Sequence, residues 1–133
     1  MNINLSSDEN EKFTDNNTQI TVLKDIVKEF CEQRDWDQFH NPKDLAIGII
    51  TEASELLEIF RFKTPEDIEQ MLNDPDKRKD IADELADVFY FVLRFSQKYN
   101  FDLSSEFIRK MGENDTKYPT DKCRGSNKKY SEA

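Results

Sequence analysis

Two four-residue segments, Glu52-Ala53-Ser54-Glu55 and Glu84-Leu85-Ala86-Asp87, each set two carboxylates three residues apart in a stretch with helical apolar spacing. Residues i and i+3 are neighbours on a helix surface, so each segment aims two carboxylates at one point in space. At about 100° per residue, the first helix groups Leu45, Ile49, Ala53, Leu56, Leu57 and Phe60 on one arc, with Glu52 at its edge and Glu55 just beyond. The second groups Ile81, Leu85, Val88, Val92 and Phe95, with Glu84 on the margin and Asp87 one step further out. Like charges beside an apolar face are costly unless they stay wet or meet a cation. Four oxygen donors with no Cys or His nearby suit a hard divalent ion, Mg²⁺ first and Mn²⁺ as the alternative. Asp80, one turn before Glu84, is a candidate fifth ligand or a hydrogen-bond acceptor behind the other four. The plain alternative is a solvated acidic face, since the chain carries 28 Asp and Glu residues.

The elements that must position these groups are helices. With only 3 Gly, 4 Pro and no alternating β-branched runs in 133 residues, the composition predicts an all-α protein with one core. The net charge of −9 argues against a nucleic-acid or anionic-membrane binder, both of which need a basic surface. No stretch approaches the roughly 20 apolar residues of a membrane span, and the first residues lack a basic-then-apolar signal, so a cytoplasmic location is expected. Cys31, on an apolar helix face, and Cys123, in a polar stretch, read as free thiols. The lone His40 excludes a zinc triad and the Glu-x-x-His pairs of di-iron bundles.

Taken in order, residues 1–17 read as a disordered extension, 18–118 as the helical domain and 119–133 as a polar, extended tail. Ile20, Leu23, Ile26, Val27, Phe30 and Cys31 mark the first core helix. An aromatic loop, Trp36 to His40, follows it, and Asn41-Pro42 opens the first carboxylate helix. Thr64-Pro65 opens a short helix, and Asp74-Pro75 opens the second carboxylate helix, which runs to about Tyr99. The short link predicts antiparallel packing that brings Glu52 and Glu55 opposite Glu84 and Asp87. Gly48, one turn before Glu52, marks a place where another group can approach closely. Phe107, Ile108 and Met111 give a last helix its apolar side. From Lys110 onward basic residues outnumber acidic ones, six to four, so this end of the chain is either a soluble tail or a phosphate-binding arm.

Together these features resemble the all-α nucleotide pyrophosphohydrolase, or MazG-like, family, and within it the dCTP pyrophosphatase branch. Glu52, Glu55, Glu84 and Asp87 reproduce its Glu-x-x-Glu and Glu-x-x-Asp signature. Arg34 to His40 look like its substrate loop, Lys110, Asn114, Lys117 and Tyr118 with Pro119 like its end-of-core motif, and Lys128-Lys129-Tyr130 like its tail. The resemblance implies an antiparallel bundle of four main helices plus a short one, assembled as a homo-oligomer, a tetramer built as a dimer of dimers. It also implies Mg²⁺-dependent cleavage of a (deoxy)nucleoside triphosphate, dCTP first, to the monophosphate and pyrophosphate. The four carboxylates would hold the metal and do the catalysis, Glu55 serving the attacking water. Trp36 and His40 would face the base and Lys110, Asn114 and Lys117 the phosphates, with Phe39, Phe62, Phe91 and Tyr118 as further substrate-binding residues. Three positions depart from the branch: Phe62 stands for a base-contacting Trp, Phe91 for a Tyr and Val27 for a His. Tyr90, one residue earlier, is expected on a different helix face. The rival readings are a non-catalytic acidic regulator or scaffold, and a hydrolase of another phosphoester.

Overall fold

A computed structural model describes residues 13–132. The described residues form six α-helices and no strand: α1 (Ile20–Gln33), α2 (Pro42–Phe60), α3 (Pro65–Asn73), α4 (Pro75–Lys98), α5 (Leu103–Lys117) and α6 (Thr120–Cys123). Two 3-10 turns, Asp37–Phe39 and Tyr130–Glu132, complete them. The chain divides into two units, Met1–Asn100 with α1 to α4 and Phe101–Ala133 with α5 and α6.

Local chemistry fixes the helix ends as the sequence predicts. Asn41 accepts from the Asp44 amide at 2.8 Å, and Asp74 from the Asp76 amide at 2.9 Å. Thr64 and Asp67 form a reciprocal capping box, and each of these three helices has Pro at its first turn. Such caps contribute about 1 kcal/mol each. α1, α2 and α4 are each followed by a residue in the left-handed region, Asp35 (φ 53), Phe62 (φ 63) and Asn100 (φ 60). Asp and Asn tolerate that conformation. A Phe there is disfavoured.

In the first unit α2 and α4 form the main packing pair, with α1 and α3 also laid against α4. Glu52 meets Glu84, while Gly48, earlier on α2, meets Phe91, later on α4; the pair is therefore antiparallel. Gly48 is where the helices close: a Cβ there would lie 2.3 Å from Cε1 of Phe91. The core is narrow, with Val27, Cys31, Leu45, Ile81 and Leu93 as its buried apolar residues among those described.

Three expectations need correction. The apolar arc of α2 stops short: Leu45, Leu56, Ile49 and Phe60 turn inward over about 60°, whereas Ala53 and Leu57 are exposed. Leu85 of α4 is exposed as well, because α1 and α3 do not cover both sides of the α2–α4 pair. The C-terminal tail is not wholly extended, since α6 and the last 3-10 turn lie in it, and Tyr130 packs edge-on against Tyr118. Residues 1–12 of the expected N-terminal extension lie outside the described residues. Residues 14–17 form a closed turn, the Thr14 amide donating to Asn17 Oδ1 at 2.8 Å.

Gly48→Ala tests the closure. Alanine gains about 1 kcal/mol of helix propensity, but forcing the Phe91 ring aside costs about 1–3 kcal/mol. Denaturant unfolding is expected to show a less stable Gly48→Ala protein, and Phe91→Ala is expected to cost less in that background than in the native one.

Candidate functional site

α2 presents Glu52 and Glu55, and α4 presents Glu84, so that one carboxylate oxygen from each lies within 4.8 Å of the others. Glu52 and Glu84 are half-buried and Glu55 is exposed. One oxygen of Glu52 and one of Glu84 are buried with no hydrogen-bond partner, an unusual condition for an ionisable group. Burial pushes the Glu52 carboxyl from its ordinary 4.5 up to about 7, and the Glu55, Asp87 and Glu84 carboxylates add to the rise. Burial, then Glu55 and Asp87, pushes Glu84 up as well. A divalent cation relieves both defects, filling the orphaned oxygens' coordination and cancelling the repulsion. The donor set therefore fits a hard metal ion. Asp80 is exposed.

Asp87 stands apart from the three-oxygen cluster, on the wall of an adjoining cavity of about 410 Å³. Glu52 and Asp87 form its acidic side, and Ile26, Val27 and Phe30 of α1, Trp36, Tyr90 and Phe91 form the rest. Trp36 is held edge-on by Phe30, ring centroids 5.7 Å apart. Such a slot has aromatic faces against which a flat ring could stack, beside the carboxylate cluster. Tyr90 lines this cavity as well as Phe91, although the two point to different faces of α4; their rings meet edge-on with centroids 5.0 Å apart. The Tyr90 hydroxyl lies 3.2 Å from Sγ of buried Cys31.

The other candidates are scattered. His40 is not on the cavity wall; its Nδ1 accepts from Arg94 Nε at 2.9 Å. Phe39 is exposed, and Phe62 is 89% exposed beneath the Arg61 guanidinium. In the second unit Lys110 pairs with Glu113 at 3.2 Å, the Asn114 carbonyl accepts from the Tyr118 amide at 2.8 Å, and Lys117 faces the Tyr130 ring. Arg94, Tyr90 and Cys31 were not among the expected site residues. A lone Arg inside the apolar run from Val88 to Phe95 was the available signal, because such a residue is rarely buried unless paired.

A sequence model of the MazG-like family matches residues 47–132. The chain is 34% identical over 114 residues to dCTP pyrophosphatase 1 of Homo sapiens and of Rattus norvegicus, covering 84% of this chain and 67% of each relative. Among solved structures it is similar to a pyrophosphatase from Archaeoglobus fulgidus, with a TM-score of 0.71, 30% identity, and coverage of 80% of this chain and 98% of that one.

The raised Glu52 pKa gives the metal-free protein a pH signature. Between about 4.5 and about 7 the folded state keeps a proton that the unfolded state has lost, so stability falls as pH rises through that window. Glu52→Gln removes this penalty. In EDTA its melting temperature is expected to exceed the native one at pH 8 and to match it near pH 4.5. Adding Mg²⁺ or Mn²⁺ at pH 8 is expected to raise the native value and to raise that of Glu52→Gln far less.

Proposed function

The chain belongs to the MazG-like family, and from that premise we propose that it is a metal-dependent nucleoside triphosphate pyrophosphohydrolase. It cleaves a (deoxy)nucleoside triphosphate, dCTP first, between the α and β phosphates to give the monophosphate and pyrophosphate, and so cleans or balances the nucleotide pool. The observation that carries this reading is the three-carboxylate cluster with two orphaned buried oxygens, set beside an aromatic cavity. The relatives' names point the same way, as dCTP pyrophosphatases and a pyrophosphatase.

Glu52, Glu55 and Glu84 would hold the metal ion, Mg²⁺ first, with Asp87 on the adjoining cavity wall as the fourth carboxylate. When bound, the ion neutralises triphosphate charge and polarises the α-phosphoryl group. The chain's own residues do the rest. Trp36 and Phe91 take the base between aromatic faces, with stacking worth about 1–3 kcal/mol. Glu55, the exposed member of the three, orients the attacking water and accepts its proton. On the family resemblance alone, Lys110, Asn114 and Lys117 are proposed as phosphate contacts and Tyr118 as a further substrate contact. Phe62, exposed and held at positive φ, serves as a further base contact.

The uncovered apolar arc of α2, with Ile47, Ile50 and Leu57, and Leu85 and Phe89 of α4 supports a homo-oligomer, a dimer of dimers. An acidic scaffold is the weaker reading. A merely solvated face would not leave Glu52 and Glu84 oxygens buried and unpartnered.

Pyrophosphate release from the four dNTPs, measured as kcat/KM with Mg²⁺, tests the activity. Glu52→Gln, Glu55→Gln, Glu84→Gln and Asp87→Asn are each expected to abolish nearly all turnover while remaining folded, and Asp80→Asn is expected to be milder. Comparable activity in any two of the four would overturn the metal site. Stacking discriminates little among bases, and Phe62 and Phe91 lack the polar groups that read a base edge. A dCTP preference blunted by activity on other dNTPs is therefore expected, sharpened by Phe62→Trp.

A further inference from the structure

Five residues of α4, Glu84, Asp87, Phe91, Arg94 and Lys98, recur at steps of three or four and fall within about 80° of one another around the helix axis. The first two belong to the acidic site, and the third lines the cavity. The last two turn to the aromatic loop. The Arg94 side chain is 1% exposed, and each of its three guanidinium nitrogens donates a hydrogen bond: Nε to Nδ1 of His40 at 2.9 Å, one terminal nitrogen to Oε1 of Gln97 at 2.6 Å, and the other to the carboxylate of Asp37. Lys98 donates to the backbone carbonyls of Asp37 at 2.6 Å and of His40, and the Tyr99 hydroxyl donates to the His40 carbonyl at 3.1 Å. Both ends of the 3-10 turn from Asp37 to Phe39 are thus tied to α4. Trp36, the residue immediately before that turn, is the one that enters the cavity.

We propose that Arg94 is a positioning residue that fixes Trp36, the aromatic wall of the nucleotide cavity, in register with the carboxylates two and three turns earlier on the same helix. This deepens the hydrolase reading and rests on it. A planar base stacks productively only where its phosphates also reach the metal carboxylates, and a rigid helix carrying both the carboxylates and the loop anchor sets that distance. Burying a guanidinium is costly unless it is paired and hydrogen-bonded, and two of the three partners here, Asp37 and His40, belong to the loop, so moving the loop away would strand the charge. The same contact sets the form of His40. An Arg Nε only donates, so Nδ1 accepts and the ring is neutral with its proton on Nε2. Burial and the Arg94 and Lys98 charges, against the weaker pull of Asp37 and Asp44, hold the imidazole below its usual pKa.

Trp36 is the chain's one tryptophan, so its fluorescence reports the wall directly. Arg94→Met keeps bulk and removes the donors. It is expected to leave helical content and Mn²⁺ affinity within about twofold of native, and to raise iodide quenching of Trp36 at least about twofold. KM for dCTP should rise about tenfold while kcat changes less than about threefold, the pattern of lost binding alignment. Should Arg94→Met fail to fold, Lys98→Met, which releases the same turn from a more exposed position, is expected to give the same pattern at smaller size. Unchanged quenching and KM, or a fall in Mn²⁺ affinity as large as the rise in KM, would overturn the proposal. If the native protein releases no pyrophosphate from any dNTP, the hydrolase reading fails on its own account. Quenching, which needs no substrate, then decides whether Arg94 holds the wall.

Discussion

Two acidic helix faces are pressed together in this protein, and most of its structure can be understood as the means of holding them there. Glu52, Glu55 and Glu84 approach within 4.8 Å across the antiparallel α2 and α4 pair, and their mutual repulsion opposes that packing. What opposes the repulsion lies one turn away on α2, where Gly48 lets the Phe91 ring sit almost against the backbone. Proton uptake relieves part of the repulsion, as the raised Glu52 and Glu84 pKa values record, and a divalent cation relieves it more completely. The site is thus built in a state that favours a cation, and the packing carries the electrostatic cost.

The basic counterpart sits at the other end of α4. Arg94 is buried but paired with Asp37, and with Lys98 and Tyr99 it ties the turn after Trp36 to the helix. One 24-residue helix therefore carries anionic groups at one level, an aromatic wall at the next and cationic anchors beyond. Distances along an α-helix are set by its rise of about 1.5 Å per residue. The spacing between acidic site and aromatic loop is therefore insensitive to the loop's own conformational freedom.

The apolar surface is more than the first unit buries. Ile47, Ile50 and Leu57 are at least half exposed, while the buried apolar set is small. α2 is apolar over more than one face and meets α4 along one of them. A helix that is apolar beyond a single stripe has a second surface to cover.

The sequence by itself determined what depends on neighbours along the chain. Asn41, Thr64 and Asp74 with their following residues locate the helix starts, and the structure places α2, α3 and α4 there to within two residues. The i, i+3 carboxylate pairs and the antiparallel link between them were legible for the same reason, since helix geometry converts spacing into direction. Membership of the MazG-like family was legible in the order of those motifs. Tertiary structure decided what depends on groups distant in sequence. Periodicity gives a residue's angle around its helix but not how many neighbours surround that helix, so it could not show that Leu57 and Leu85 stay exposed while Arg94 is buried. Nor could it show that Tyr90 shares the cavity with Phe91, that His40 accepts from a guanidinium 54 residues later, or that Gly48 is there for a ring on α4. Each of those outcomes is set by where one helix meets another, and the sequence carries that only through the packing of the folded chain.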